Sequence, residues 1–240
     1  MTHPEAPQPV PSVHERSRGE EQLRKLHSLS GALPVGGFLV LHLLTNAKAL
    51  SARAAFDGAL ADINQLSLLP VIELGILVPL VFHAAYGVKL AVEGRARVDV
   101  SGAAEANADR QRWMYMLQRV SGLIALAFIA YHLYELRYQK LVGAMSVSAF
   151  YPTLCADLSR TSVGVPWIAL LYLIGITACT FHFAHGLWRF VISWRLVVSP
   201  RSQQIMATVL SVLGVALFLI GLDTALFFAT GSKLFVPPLP

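Results

Sequence analysis

Apolar residues along this chain gather into five long blocks, at residues 29–50, 68–92, 114–136, 164–196 and 204–230, with polar stretches between them. Each block holds about 20 residues or more, enough for a helix to cross a hydrocarbon core roughly 30 Å thick. Lipid offers no partner to a bare peptide group, so a spanning segment is either a helix or part of a closed barrel. No ten-residue segment alternates with period two, which argues against a barrel. The pattern therefore predicts an all-α integral membrane protein with five transmembrane helices, occupying residues 22–231. Residues 1–21 are rich in proline and charge and lack an apolar centre; they read as a disordered tail, not a cleavable signal. Residues 232–240 read as a short external C-terminal tail.

Composition and charge add an orientation. The 240 residues are 55% hydrophobic and only 14% charged, with a mean hydropathy of +0.57, too apolar for an ordinary soluble domain. Lys48, Arg53, Arg137, Lys140, Arg160 and Lys233 fall on one side of five alternating spans, and the other 13 of the 19 basic residues fall on the side of the N-terminus. The positive-inside rule then places the N-terminus in the cytoplasm. Topology and anionic lipid headgroups account for the pI near 9.4, with no need for a nucleic-acid partner. Cys155 lies in a loop and Cys179 deep in the fourth block, so no bridge between them is expected.

Ionisable residues inside spans are costly in lipid and mark functional paths. Here most are histidines: His42 in "FLVLHLLTN", His83 in "LVFHAAYGVK", His132 in "FIAYHLYELR", and His182 with His185 in "FHFAHGLWRF". His3 and His14 lie in the tail and read as solvated bystanders. At about 1.5 Å per residue, His42 lies roughly 5 Å and His132 roughly 10 Å to the outer side of their helix centres. His83 and His182 lie past theirs on the cytoplasmic side. Depth thus sorts four histidines into an outer and an inner pair, each drawn from two helices that run the same way and can face one another across a four-helix bundle.

Two histidines per level, from opposite helices, is what two stacked b-type haems require, since each iron takes an imidazole above and below the macrocycle. A metal cluster or proton relay is the competing chemistry. A cluster would draw its ligands to one depth and usually add carboxylate or thiolate. Gly87 and Gly186 follow His83 and His182 by four residues, and Gly36 and Gly37 precede His42; they suit a haem-sized gap, although small residues also serve ordinary helix packing. The shared His-x-x-[Tyr/His]-Gly pattern hints at a weak internal repeat.

"RKLHSLSGALPVGGFLVLH", "FHAAYGVKLA", "WMYMLQRVSGLIALAFIAYHLYE", "FHFAHGLWRFVISW" and "VSPRSQQ" together resemble the single-chain, two-haem cytochrome b anchor of succinate:quinone oxidoreductase, respiratory complex II. The resemblance runs from about residue 22 to 225. It implies a haem-binding four-helix bundle with one peripheral helix in a bacterial cytoplasmic membrane. It implies that His42 and His132 ligate an outer, low-potential haem, and His83 and His182 an inner, high-potential one. It further implies a flavoprotein and an iron–sulfur subunit on the cytoplasmic face, and a quinone, menaquinone by the likeness, as electron acceptor. His27, Ser28, Trp113, Arg119, His185 and Arg189 are candidate neighbours of haem propionates, with snorkelling and interfacial belts as the alternative for the arginines and Trp113.

Quinone reduction consumes protons, so a donor is expected near a haem edge. Of three acids towards the outer half, Glu73 and Asp223 are the stronger candidates, because Glu135 is close enough to the surface to be merely solvated. An anchor of another quinone-linked dehydrogenase, or a non-redox membrane protein, are the remaining function classes.

Overall fold

The computed structural model describes residues 18–93 and 105–235; His3, His14, Arg16, Arg95, Arg97 and the end of the C-terminal tail lie outside them. Five helices are long and apolar enough to span a membrane: Arg18–Leu50, Leu69–Val92, Arg112–Leu141, Trp167–Ser193 and Pro200–Thr230. They are numbered first to fifth in chain order. The chain begins on one side of the bundle, the N-face, and ends on the other, the C-face. Along the second helix Val71, Leu74, Val78 and Val81 are all more than half exposed. Such an apolar stripe at helical spacing would be a liability in water and suits contact with lipid.

The first helix starts at Arg18, not at residue 29, so residues 18–21, expected in the tail, are helical. Glu20 and Glu21 sit in its first turn, where carboxylates favour a helix N-terminus, and Glu21 pairs with Lys25 one turn on at 3.0 Å. Pro34 lies inside this helix, and the backbone accommodates its missing N–H with a π-helical turn over Gly31–Val35. A second π-helical turn, Leu133–Tyr138, directly follows His132. The fifth helix has clear sequence signals at both ends. Ser199 caps the start by accepting from the Ser202 backbone N–H, Pro200 occupies the first turn, and Gly231 ends it in the left-handed region at φ 73°.

Helix order in space follows from the contacts. The first helix packs on the second, fourth and fifth, and the third packs on the fourth. First and third, and second and fourth, therefore face each other across a central cleft. The fifth helix flanks this arrangement and buries Leu210, Gly214, Leu217, Gly221, Thr224 and Phe228, an alternating four-and-three spacing. A Cβ on Gly214 would stand 2.6 Å from the Ala184 Cβ, and one on Gly221 2.7 Å from the Ile176 side chain. Small residues here let two backbones approach closely, which drives association where lipid removes the hydrophobic force.

Two helices were not anticipated: Arg53–Asn64 and Phe150–Ser159, both on the C-face. They bring Phe56, Leu154 and Leu158 onto Ala49, Phe128, Tyr172 and Phe228. Phe56, Tyr151 and Phe228 form a ring triangle with centroids 5.4–5.8 Å apart. The best-buried hydrophobic cluster thus lies at the C-face and closes that end of the bundle. Cys155 and Cys179 are both free, and burial pushes the Cys155 thiol up, away from reactivity.

Asp223, expected as a proton donor, is instead buried with its Oδ1 accepting the Leu234 backbone N–H at 2.6 Å. It does not line the cleft. A carboxylate so placed ties the chain end back onto the fifth helix. Asp223→Ala is expected to lower stability by about 1–3 kcal/mol, the usual result of leaving one partner of a buried hydrogen bond unmet. A thermal melt of the purified complex measures it, and an unchanged melt would remove this role.

Candidate functional site: a cleft with two histidine pairs

The cleft belongs to a cavity of about 3400 Å³ that all five spanning helices line, and all four intramembrane histidines singled out by depth line it. Near the N-face, the rings of His83 and His182 have centroids 6.1 Å apart and planes at 83°. Near the C-face, His42 and His132 stand 5.7 Å apart at 80°. Among the described residues no three His, Cys, Asp or Glu side chains converge as a metal cluster would need.

The N-face pair is held by a repeated cradle. His83 donates Nδ1–H to the His27 carbonyl at 2.9 Å, and His182 donates Nδ1–H to the Gln118 carbonyl at 3.0 Å. Ser30 and Ser121, each three residues beyond those carbonyls, lie 3.5 and 3.4 Å from the same nitrogens. Gly31 and Gly122 follow them, and each lies directly against the imidazole. A Cβ on Gly122 would meet His182 Cε1 at 2.8 Å, and one on Gly31 would collide with the His83 ring. In return a Cβ on Gly87 would stand 3.3 Å from the His27 ring, and one on Gly186 3.3 Å from the Gln118 amide. "HSLSG" before "FHAAYG" and "QRVSG" before "FHFAHG" therefore form one motif used twice. The sequence reading found its histidine half and missed Ser30, Gly31, Gln118, Ser121 and Gly122. The second copy of Ser-Gly was the available signal.

With both Nδ1 protons committed to carbonyls, both Nε2 atoms are the bare nitrogens. This tautomer is the usual one for imidazoles that bind a metal through Nε2. Two such bonds of about 2 Å on opposite sides of one iron put ring centroids roughly 6 Å apart, close to both observed spacings. The N-face residues therefore fit a bis-imidazole haem, and the C-face pair matches it in ring spacing.

At the C-face, His132 Nδ1 lies 3.2 Å from the Tyr172 hydroxyl, which itself donates to Glu135 Oε2 at 2.7 Å. Tyr131 donates to the other oxygen of Glu135 at 2.8 Å. Glu135, expected to be merely solvated, is a half-buried acceptor of two tyrosines. His42 is flanked by Phe38, with a centroid distance of 5.2 Å, and by Asn46, whose amide donates to the His42 carbonyl at 2.8 Å.

The other expected residues divide. His27 stacks on His83 at 4.1 Å with its Nδ1 buried and unpartnered; Arg24 Nε and Trp188 Nε1 are likewise buried without a partner. All three residues line the N-face half of the cleft, and together they make a set of orphaned donors suited to carboxylates. His185 donates to Gln118 Oε1 at 2.8 Å, and Gln118 in turn donates to the His182 carbonyl at 3.2 Å. Ser28 accepts from Trp194 Nε1 at 3.0 Å, pinning the first helix to the end of the fourth. Arg119 lines the cleft but spends a donor on the Leu90 carbonyl at 2.6 Å and lies over the Tyr115 ring. Arg189 sits exposed at the mouth. Trp113 is 62% exposed and does not line the cleft, as expected for an interfacial aromatic.

Glu73 lines the C-face end of the cleft and pairs with Arg137 at 2.5 Å. Both partners are more than a third exposed, so the pair adds little to stability; its interest is its position. Lys140 beside it bonds Asn64 of the C-face helix Arg53–Asn64.

No protein-family model matches the chain. It is 34% identical over 210 residues to the succinate dehydrogenase cytochrome b558 subunit of Bacillus subtilis (strain 168), an alignment that covers 87% of this chain and 97% of that protein. Identity of that level over nearly the whole of both chains shows that the chain belongs to the family of succinate dehydrogenase cytochrome b subunits.

Proposed function

We propose that this chain is the electron-carrying and quinone-reacting membrane anchor of a succinate:quinone oxidoreductase in a bacterial cytoplasmic membrane. In this reading a flavoprotein and an iron–sulfur subunit dock on the cytoplasmic N-face, and electrons pass through two b haems to menaquinone. The observation that carries the reading is the two-level arrangement of histidine pairs in one cleft, each with its rings near 6 Å apart. Bound there, two haems would supply one-electron carriers at two depths of the membrane.

The chain's own residues do the rest. His83 and His182 present Nε2 to the inner level because backbone carbonyls hold their Nδ1 protons. Gly31 and Gly122 let those rings lie flat against neighbouring helices. Arg24, His27 and Trp188 offer N–H donors to propionate carboxylates at the N-face. His42 and His132 ligate at the outer level, within a wall closed towards water by the C-face aromatic cluster.

Glu73 is the proton donor of the reading, with Arg137 holding its carboxylate at the cleft edge. Glu73→Gln is expected to slow turnover with a quinone analogue by about 10²-fold, the low end of what a positioned proton donor contributes, while both haems stay bound. Unchanged turnover would eliminate Glu73 from that role. The reading as a whole is tested by an optical redox titration of the intact complex. Two b-type components with separate midpoints are expected, and absence of any reducible b-type signal would overturn it.

A further inference from the structure

The two histidine levels differ in what receives the histidine proton. At the N-face both Nδ1–H groups go to backbone carbonyls, of His27 and Gln118, which are neutral acceptors. At the C-face His132 meets a side chain, the Tyr172 hydroxyl at 3.2 Å. A phenol has one proton, and Tyr172 gives it to Glu135 Oε2 at 2.7 Å. The remaining capacity of that oxygen is to accept, so the proton between His132 and Tyr172 belongs to His132 Nδ1. Tyr131 fills the second oxygen of Glu135 at 2.8 Å, which leaves the carboxylate no freedom to rotate away from Tyr172. Three hydrogen bonds from the third and fourth helices thus fix the direction of every proton in a chain that runs from carboxylate to phenol to imidazole.

We propose that Tyr172 and Glu135 are positioning residues for His132: they set which nitrogen faces the cleft and make the imidazole a stronger electron donor, holding the haem at this level at a lower potential than the one at the His83–His182 level. The proposal rests on the haem reading above. A carboxylate behind an imidazole, here through one hydroxyl, raises its basicity as a ligand, and a more basic axial ligand stabilises the ferric state. The backbone carbonyls behind His83 and His182 carry no such charge. The asymmetry is therefore built from two side chains on neighbouring helices. The π-helical turn Leu133–Tyr138 includes Glu135 and immediately follows His132, which places the carboxylate three residues beyond the imidazole it serves.

The two partners can be separated. Tyr172→Phe keeps the carboxylate and its charge but cuts the hydrogen-bond chain. Glu135→Gln keeps the phenol and an oxygen to accept its proton but removes the carboxylate charge behind it. In the intact complex, both variants are expected to raise the midpoint of the lower-potential haem and shift its low-spin electron paramagnetic resonance signal, with the higher-potential haem unmoved. If the phenylalanine variant fails to retain the haem, the glutamine variant decides on the same two readouts. An unaltered lower midpoint and signal in a variant that holds both haems would overturn the inference, as would a shift confined to the higher-potential haem. A wild-type complex without b-type haem is a different result, which would overturn the function proposed above as well.

Discussion

Replacing His182 by alanine is expected to halve the haem bound per chain, removing the higher-potential component and leaving the lower one. His182 supplies one of two Nε2 atoms at the N-face level, with its ring 6.1 Å from that of His83. His185, one turn away, already gives its Nδ1 proton to Gln118. The parallel substitution His185→Ala is expected to keep both haems, because the Gln118 carbonyl that holds His182 belongs to the backbone. The pair of variants separates two histidines of one short stretch. Haem quantification with a redox titration is the measurement, and two haems with unaltered midpoints in the His182 variant would remove it from ligation.

The second large effect is expected from a residue with no functional group. A Cβ at position 122 would stand 2.8 Å from His182 Cε1, and the imidazole cannot retreat without breaking its bond to the Gln118 carbonyl. Gly122→Val is therefore expected to expel the higher-potential haem and to destabilise the fold by about 1–3 kcal/mol, the usual range for overpacking. Gly37 is the control. It was expected to help make the haem gap, yet nothing lies within 4 Å of where its Cβ would be. Gly37→Ala is expected to be neutral or to stabilise by up to about 1 kcal/mol, as a compatible glycine replacement in a helix does. Haem content and thermal melts of both variants check the contrast, and a haem-replete Gly122→Val protein of wild-type stability would refute the cradle.

How much of this was legible in the chain depends on range. The five spans were readable because lipid imposes a length and an apolar composition on each helix separately. Grouping the histidines by depth needed only the rise per residue, and in the structure each depth group has its rings about 6 Å apart. The two C-face helices were missed: at 12 and 10 residues they are too short for the membrane pattern, and their burial depends on Phe128, Tyr172 and Phe228 from other helices. The surroundings of Glu135 and Asp223 were not legible either. One is bound by a tyrosine 37 positions away, and the other is buried as the acceptor of the Leu234 backbone N–H.

The sequence by itself determined the membrane class, the number of spans and the two depths at which imidazoles occur, since these follow from local apolarity and a fixed helical rise. Only the tertiary structure decided which nitrogen of His83 and of His182 is free, which glycines those rings rest on, and which acid stands behind His132. Those depend on carbonyls, hydroxyls and Cβ positions of neighbouring helices, which approach within hydrogen-bonding distance only once the bundle has closed.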